Sequence, residues 1–319
     1  MKRYILSALF ICACVVAFAA GNKEPRRANG KITVTTTIFP PYDFTRAIAG
    51  DRINLSMLLP PGAESHSFEP SPRDIINIQN SDIFIYIGGE SESWADRILD
   101  SLDTSKMKII RLMDVVDVVE EEIVEGMQEE DDNVFEDLDI EIEQEYDEHI
   151  WTSPKNAARM ITAITDGLCE KDNANAPYYR QNAETYLAKL NKLDAEFQSI
   201  VDNAKRKTIV FGDRFPFRYF ADAYGLSYFA AFPGCSTETE PSAATVAFLI
   251  NKMKAEKIPV VFHIELSNEK MADIIAEETG AKKRLLHAVH NISKRDFERG
   301  VTYLELMTLN EEALREALQ

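Results

Sequence analysis

The sequence predicts an α/β protein of two lobes, each a parallel sheet covered by helices, joined by one long rigid helix. Three observations carry that prediction. Short apolar or β-branched runs alternate with amphipathic runs in both halves of the chain. Between them, residues 175–204 are polar, with Tyr178, Tyr186, Leu187, Leu190, Leu193, Phe197, Ile200 and Val201 recurring at helical spacing. At 319 residues and 45% hydrophobic content, the chain exceeds one comfortable core and suffices for two.

The first lobe is assigned to residues 31–168. KITVTTT (31–37) is β-branched and alternating, which predicts a strand. Residues 44–49 read as a helix capped by Asp43, and 53–59 as a second strand closed by the turn Pro60-Pro61-Gly62. A helix over 72–80 takes Ser71 as its cap. DIFIYI (82–87) is nearly continuous in apolar residues, as strands of buried parallel sheets are. A helix over 92–102 and a strand over 108–112 follow, and a helix over 154–168 ends the lobe. The linking helix, assigned to 174–204, would rise roughly 45 Å over about thirty residues. The second lobe, 205–319, reads as strand 208–211, helix 217–224, helix 244–256, strand 260–264, helix 268–279, strand 284–289 and helix 311–318 with Asn310 as cap. The Gly/Ser/Pro-rich linker of two independent domains is absent from the sequence.

Charge is concentrated in one place. The formal net charge is −18, from 53 acidic against 35 basic residues, and 16 of the acids fall in residues 120–148, which hold no Lys or Arg. The remainder is nearly balanced. Such a chain lacks the basic face needed to meet nucleic acid or an anionic membrane, so no nucleic-acid partner is expected. Asp131, Asp132, Glu145, Asp147 and Glu148 are read as weak collectors of cations in an acidic loop.

Lys2 and Arg3 precede an apolar run ending in Ala17-Phe18-Ala19, so residues 1–20 read as a secretory signal and 21–30 as a polar tether. Ile11-Cys12-Ala13-Cys14 weakly resembles a lipoprotein signal, but the residues after Cys14 stay apolar and a lipid anchor is unsupported. Cleavage leaves Cys169 and Cys235, which lie in segments assigned to different parts of the fold.

Phosphate loops, nucleophile elbows and HExxH motifs are absent, and only five histidines are present. His66 follows the Pro-Pro-Gly turn at a strand end, where open α/β sheets bind ligands. His149 closes the acidic run beside Trp151. His287 and His290, three apart in RLLHAVH, could face His66 and His149 from the other lobe. His263, in mid-strand, reads as structural. Imidazole plus a carboxylate suits Zn²⁺ well and Mn²⁺ less well, and a site shared between lobes would close the lobes on the metal.

These segments resemble the substrate-binding proteins of bacterial zinc/manganese ABC importers. TTTIFPPYDFTRAIAGDRINLSMLLPPGAESHSFEPSPRDIINIQNSDIFIYIGG is similar to that family's first lobe, HIWTSPKNA to its second histidine motif, and EPSAATVAFLINKMK, IAEETGAK and YLELMTLN to its second lobe. The resemblance runs from about residue 31 to the C-terminus. It implies a monomer, exported to the periplasm or cell surface, that captures a divalent transition metal, zinc above all, and delivers it to a membrane permease. It also implies His66 and His149 as two ligands. Where the family carries a third histidine, this chain has Gly212-Asp213; where it carries an aspartate, counting from Glu278-Thr279-Gly280-Ala281 arrives at His290 with His287 beside it. The implied site is a rearranged one: His66, His149, His290 and either His287 or Asp213. Two readings from other classes stand beside it: an exported metalloenzyme with an open zinc position and Glu64 or Glu265 as base, and a surface adhesin.

Overall fold

A computed structural model describes residues 30–127, 145–236 and 241–319. The signal segment, Cys12, Cys14, most of the tether, Asp131 and Asp132 lie outside the described residues. From Ile32 onward the chain carries two four-stranded sheets, every neighbouring pair parallel. The first contains β1 (Thr33–Thr36), β2 (Asn54–Met57), β3 (Ile83–Tyr86) and β4 (Lys108–Arg111) in the order β2-β1-β3-β4. The second contains β5 (Thr208–Phe215), β6 (Ser227–Pro233), β7 (Val260–His263) and β8 (Lys282–Leu285) in the equivalent order β6-β5-β7-β8. In both, the order reverses beside the first strand, which places a ligand crevice at the strand carboxyl ends.

Helices α1 (Phe39–Ala49), α2 (Pro72–Gln79), α3 (Ser93–Ser101) and α4 (Pro154–Lys171) belong with the first sheet. The linking helix α5 (Ala176–Asp202) is 27 residues long and lies against α1, α4 and the C-terminal helix. Helices α6 (Arg218–Tyr224), α7 (Ala243–Glu256), α8 (Lys270–Thr279), α9 (Lys294–Glu298) and α10 (Tyr303–Leu318) accompany the second sheet. One apolar cluster runs through both halves, from Val34, Phe44 and Ile83 through Trp151, Tyr179 and Phe197 to Phe220, Phe262 and Tyr303. The two lobes therefore share a core as well as a linker.

Several boundaries differ from the sequence reading, each for a local reason. Helix α1 starts at Phe39, before the Pro-Pro pair, because first-turn prolines lack only N–H groups that would be unpaired anyway. Asp43 is therefore inside the helix rather than its cap. It is buried, bridges to Arg46 and accepts the Tyr303 backbone N–H at 2.7 Å, so it fastens the start of α10. Helix α10 starts at Tyr303, where the N-cap Thr302 and Glu305 form a reciprocal capping box. That leaves Asn310 in mid-helix, buried. Strand β6 had no sequence assignment; it is an apolar run between Gly225, which is left-handed, and Gly234. Strand β8 stops at Leu285, so His287 and His290 lie on the loop beyond it.

Candidate metal centre

His66 sits on the loop that follows β2. The Pro60–Ala63 turn closes with a 3.0 Å backbone hydrogen bond, and Asn291 of the second lobe donates its amide to both Pro60 O and Ala63 O at 2.9 Å. The His66 ring is 6% exposed, and its Nδ1–H points at Glu64 Oε1, 2.8 Å away. His149 precedes the short turn Ile150–Thr152 that leads into α4, whose N-terminus is capped by Ser153. It is buried, and Asp147 Oδ1 accepts from both its backbone N–H (2.8 Å) and its Nδ1 (3.1 Å). A carboxylate behind each ring fixes the tautomer and turns Nε2 inward. Gly234 makes room for this: a Cβ there would lie 2.9 Å from Phe215 O and 3.3 Å from the His149 ring.

His290 arrives from the second lobe on a tightly held loop. Glu265 accepts the backbone N–H groups of Ala288 (2.7 Å) and His290 (2.9 Å), and Val289 between them is left-handed at φ 60°. The Trp151 ring lies 4.9 Å from the His290 ring, and its Nε1–H donates to Ala288 O at 2.7 Å, tying that loop to the His149 turn. The three imidazole centroids are 5.1 to 5.8 Å apart. One nitrogen from each lies within 4.8 Å of the others. Nε2 of His66 and Nε2 of His149 are buried without a hydrogen-bond partner. Buried polar atoms are rarely left so, and a cation bound between the rings would satisfy both. A cavity of about 110 Å³ opens on the group, lined by Glu64, His66, His149, Arg214, Gly234 and His290 among others.

Burial pushes His66 below the ordinary histidine range despite its hydrogen bond to Glu64. His290 is driven well below, by burial first and then by the charges of His66 and His149. Burial also opposes a proton on His149, but Asp147, with Glu148 and Glu121 behind it, outweighs that and raises it. The hydrogen bond to His66, aided by Arg214, holds the Glu64 carboxyl far below its usual range. Two of the three rings thus carry free lone pairs at neutral pH, as metal ligands must.

His287 and Asp213 are not brought to this group. The β5 register shifts between Phe211 and Arg214, and Asp213 in that irregularity accepts its neighbour Arg214 N–H (2.9 Å) and the Ile264 N–H beyond β7 (3.2 Å), so its oxygens hold two strand ends together. Gly212 leaves no space for a side chain, since a Cβ would lie 2.6 Å from the Ala272 backbone. The turn at Val289 sends His287 the other way: its Nδ1 accepts the Val289 N–H at 2.9 Å, and Asn310 pairs with its backbone N–H and C=O at 2.7 and 2.8 Å. His263, read as structural, is buried with Nδ1 3.1 Å from Ile264 O. Of the acids read as cation collectors, Asp147 and Glu148 are instead buried; Asp147 serves His149, and Glu148 accepts the Ser91 N–H at 2.6 Å. Arg214, adjacent to the residues weighed in the sequence, stands at the site and was not singled out. Cys169 and Cys235 are both free thiols.

Among the described residues no helix is long and apolar enough to cross a membrane. Residues 34–317 match the family described as zinc-uptake complex component A, periplasmic. The chain is 32% identical over 318 residues to the high-affinity zinc uptake system protein ZnuA of Bacillus subtilis, covering 98% of this chain and 97% of that one. It is 31% identical to the zinc-binding lipoprotein AdcA of Streptococcus pneumoniae over 99% of its own length but only 61% of AdcA. The Zn(II)-bound ZnuA-like domain of that AdcA superposes with a TM-score of 0.73 at 30% identity, over 91% of this chain and 99% of the domain. Matched along nearly its whole described length by the family and at full length by one relative, the chain belongs to the periplasmic zinc-uptake component A family.

Proposed function

We propose that the protein captures a divalent transition metal, zinc above all, at His66, His149 and His290 outside the cytoplasm, and delivers it to the permease of an ABC importer. The observation that carries this reading is the convergence of three buried imidazoles, two with unpartnered inward nitrogens. Imidazole donors favour zinc and accept manganese less well. The names of the relatives, a zinc uptake protein and zinc-binding lipoproteins, support the same cargo. The metal is cargo, bound and released with no bond of a substrate broken. The protein works as a monomer and is not an enzyme: each carboxylate proposed as a general base is already committed, Glu64 to His66 and Arg214, and Glu265 to two backbone N–H groups. His287 and Asp213 are left out of the proposed ligand set.

Calorimetric titration of the purified chain with Zn²⁺ and Mn²⁺, beside a His66→Ala/His149→Ala double variant, tests the reading. One tight equivalent of zinc, lost in the variant, is expected. Weak, multiple binding that survives the variant would overturn it.

A further inference from the structure

Glu64 is shared. One oxygen holds the His66 ring; the other faces Arg214 Nη2 at 3.3 Å. Arg214 comes from β5 of the second lobe, so this ion pair crosses between lobes at the edge of the metal group. Its Nη1 lies 3.3 Å from His66 Nδ1 and 3.3 Å from Ser236 O, and its side chain is only 17% exposed. A guanidinium never gives up its charge at physiological pH. Here that charge sits on the far side of an imidazole whose other nitrogen faces the group's centre, inside a partly closed cavity where screening is weak.

Two effects follow, with the same sign. A fixed positive charge opposes a dication bound across the ring. Arg214 also draws on the carboxylate that would make His66 a more basic ligand. We propose that Arg214 is a built-in release element, which lowers the affinity of the site for zinc and speeds its departure. The proposal rests on the zinc-carrier reading, and it gives a reason for a cation at a cation site: a carrier must let go of its cargo.

The test uses the full chain and Zn²⁺, with affinity from competition against a fluorescent chelator and dissociation by stopped flow. Arg214→Gln, which keeps hydrogen bonding and removes the charge, should bind zinc about tenfold tighter, equivalent to about 1.4 kcal/mol, and release it correspondingly more slowly. Arg214→Lys, which keeps the charge, should restore fast release. Thermal melts of the zinc-free variants establish that each is folded. Unchanged or weaker binding in a folded Arg214→Gln chain overturns the proposal, and so does equal weakening by Gln and Lys, which would make Arg214 a strut between the lobes. Failure of the underlying reading looks different: there the parent chain itself would bind zinc without needing His66 and His149.

Discussion

The two sheets have the same strand order, but the loops at their carboxyl ends are built in different ways. The first lobe supplies two imidazoles, each with its own carboxylate, Glu64 behind His66 and Asp147 behind His149. The second supplies one imidazole, His290, and a guanidinium; its nearby carboxylate, Glu265, accepts backbone N–H groups and lies 3.4 Å from His287 Nδ1 rather than backing the His290 ring. The backbones differ as well. Among the described residues between β1 and α4, every left-handed residue is a glycine: Gly50, Gly62, Gly88, Gly89 and Gly126. In the second lobe Lys257, Leu266, Glu269 and Val289 are left-handed without being glycine. One side therefore holds its two imidazoles on a relaxed frame, each backed by a carboxylate. The other presents its ligand on a strained loop beside an opposing charge, an arrangement suited to letting go.

The largest expected effect follows from that asymmetry. His149→Ala should weaken zinc binding by more than the roughly 10- to 100-fold that loss of a supporting carboxylate alone costs, because ligand and support are both removed from use. His290→Ala removes a ring without such support and should cost less. Zinc affinities of the two variants, measured under the same chelator competition, decide the matter; equal losses, or the reverse order, would break the comparison.

A second effect belongs to the floor of the first lobe. Glu92 is buried, its Oε2 accepting the Ile87 and Gly88 N–H groups at 2.6 and 3.0 Å, beside a cavity of about 20 Å³ shared with Thr37 and His290. Burial pushes its carboxyl up to about 7 from 4.5, against its hydrogen bonds. The folded protein therefore holds this proton more tightly than the unfolded chain. The stabilisation is fully present below pH 4.5 and is lost as pH rises through 7, a change of about 2 kcal/mol between pH 5 and 7. Glu92→Gln, which cannot ionise, should remove that share of the pH dependence. Urea midpoints of parent and variant at pH 5 and 7 should converge at the lower pH relative to the higher one, with the parent losing more. A constant difference would show that Glu92 is ionised throughout.

Much of this was legible before the fold was known. Period-two and apolar runs gave seven of the eight strands, most clearly the central β1, β3, β5 and β7, which bury both faces and show it in composition. His66, His149 and His290 were each picked out by position at a strand or segment end. What was not legible depended on directions rather than composition. Nothing in LLHAVHNI says that Val289 turns left-handed and parts His287 from His290. The irregularity at Gly212-Asp213 rotates Arg214, not Asp213, toward Glu64, and sequence spacing cannot show that. Asn310 had the look of a cap because Asn is common there, while the true signal, Thr302 with Glu305 three residues on, lay about two turns earlier. Strand β6 was missed for its two alanines, which carry little strand preference until a neighbouring sheet edge requires them.

The smallest expected effect separates strain from packing within the second lobe itself. Leu266 and Val289 share a positive φ, 59° and 60°, but Leu266 is 52% exposed and Val289 is fully buried. Replacing a left-handed non-glycine residue by Gly relieves about 1–2 kcal/mol of strain, while the added freedom of the unfolded chain takes back about 0.5–1 kcal/mol. At Leu266 little packing is lost, so Leu266→Gly should stabilise the protein slightly, by less than about 1 kcal/mol. At Val289 the buried side chain is worth about 1.5–3 kcal/mol, which exceeds the relief, so Val289→Gly should destabilise it. Urea unfolding of the two variants gives both signs in one experiment. Opposite signs mean that the strain at the β7 end is dispensable for stability and that the strain beside His290 is held in place by the core. Equal destabilisation would mean that neither turn is strained, and the contrast between the lobes would then rest on the carboxylates alone.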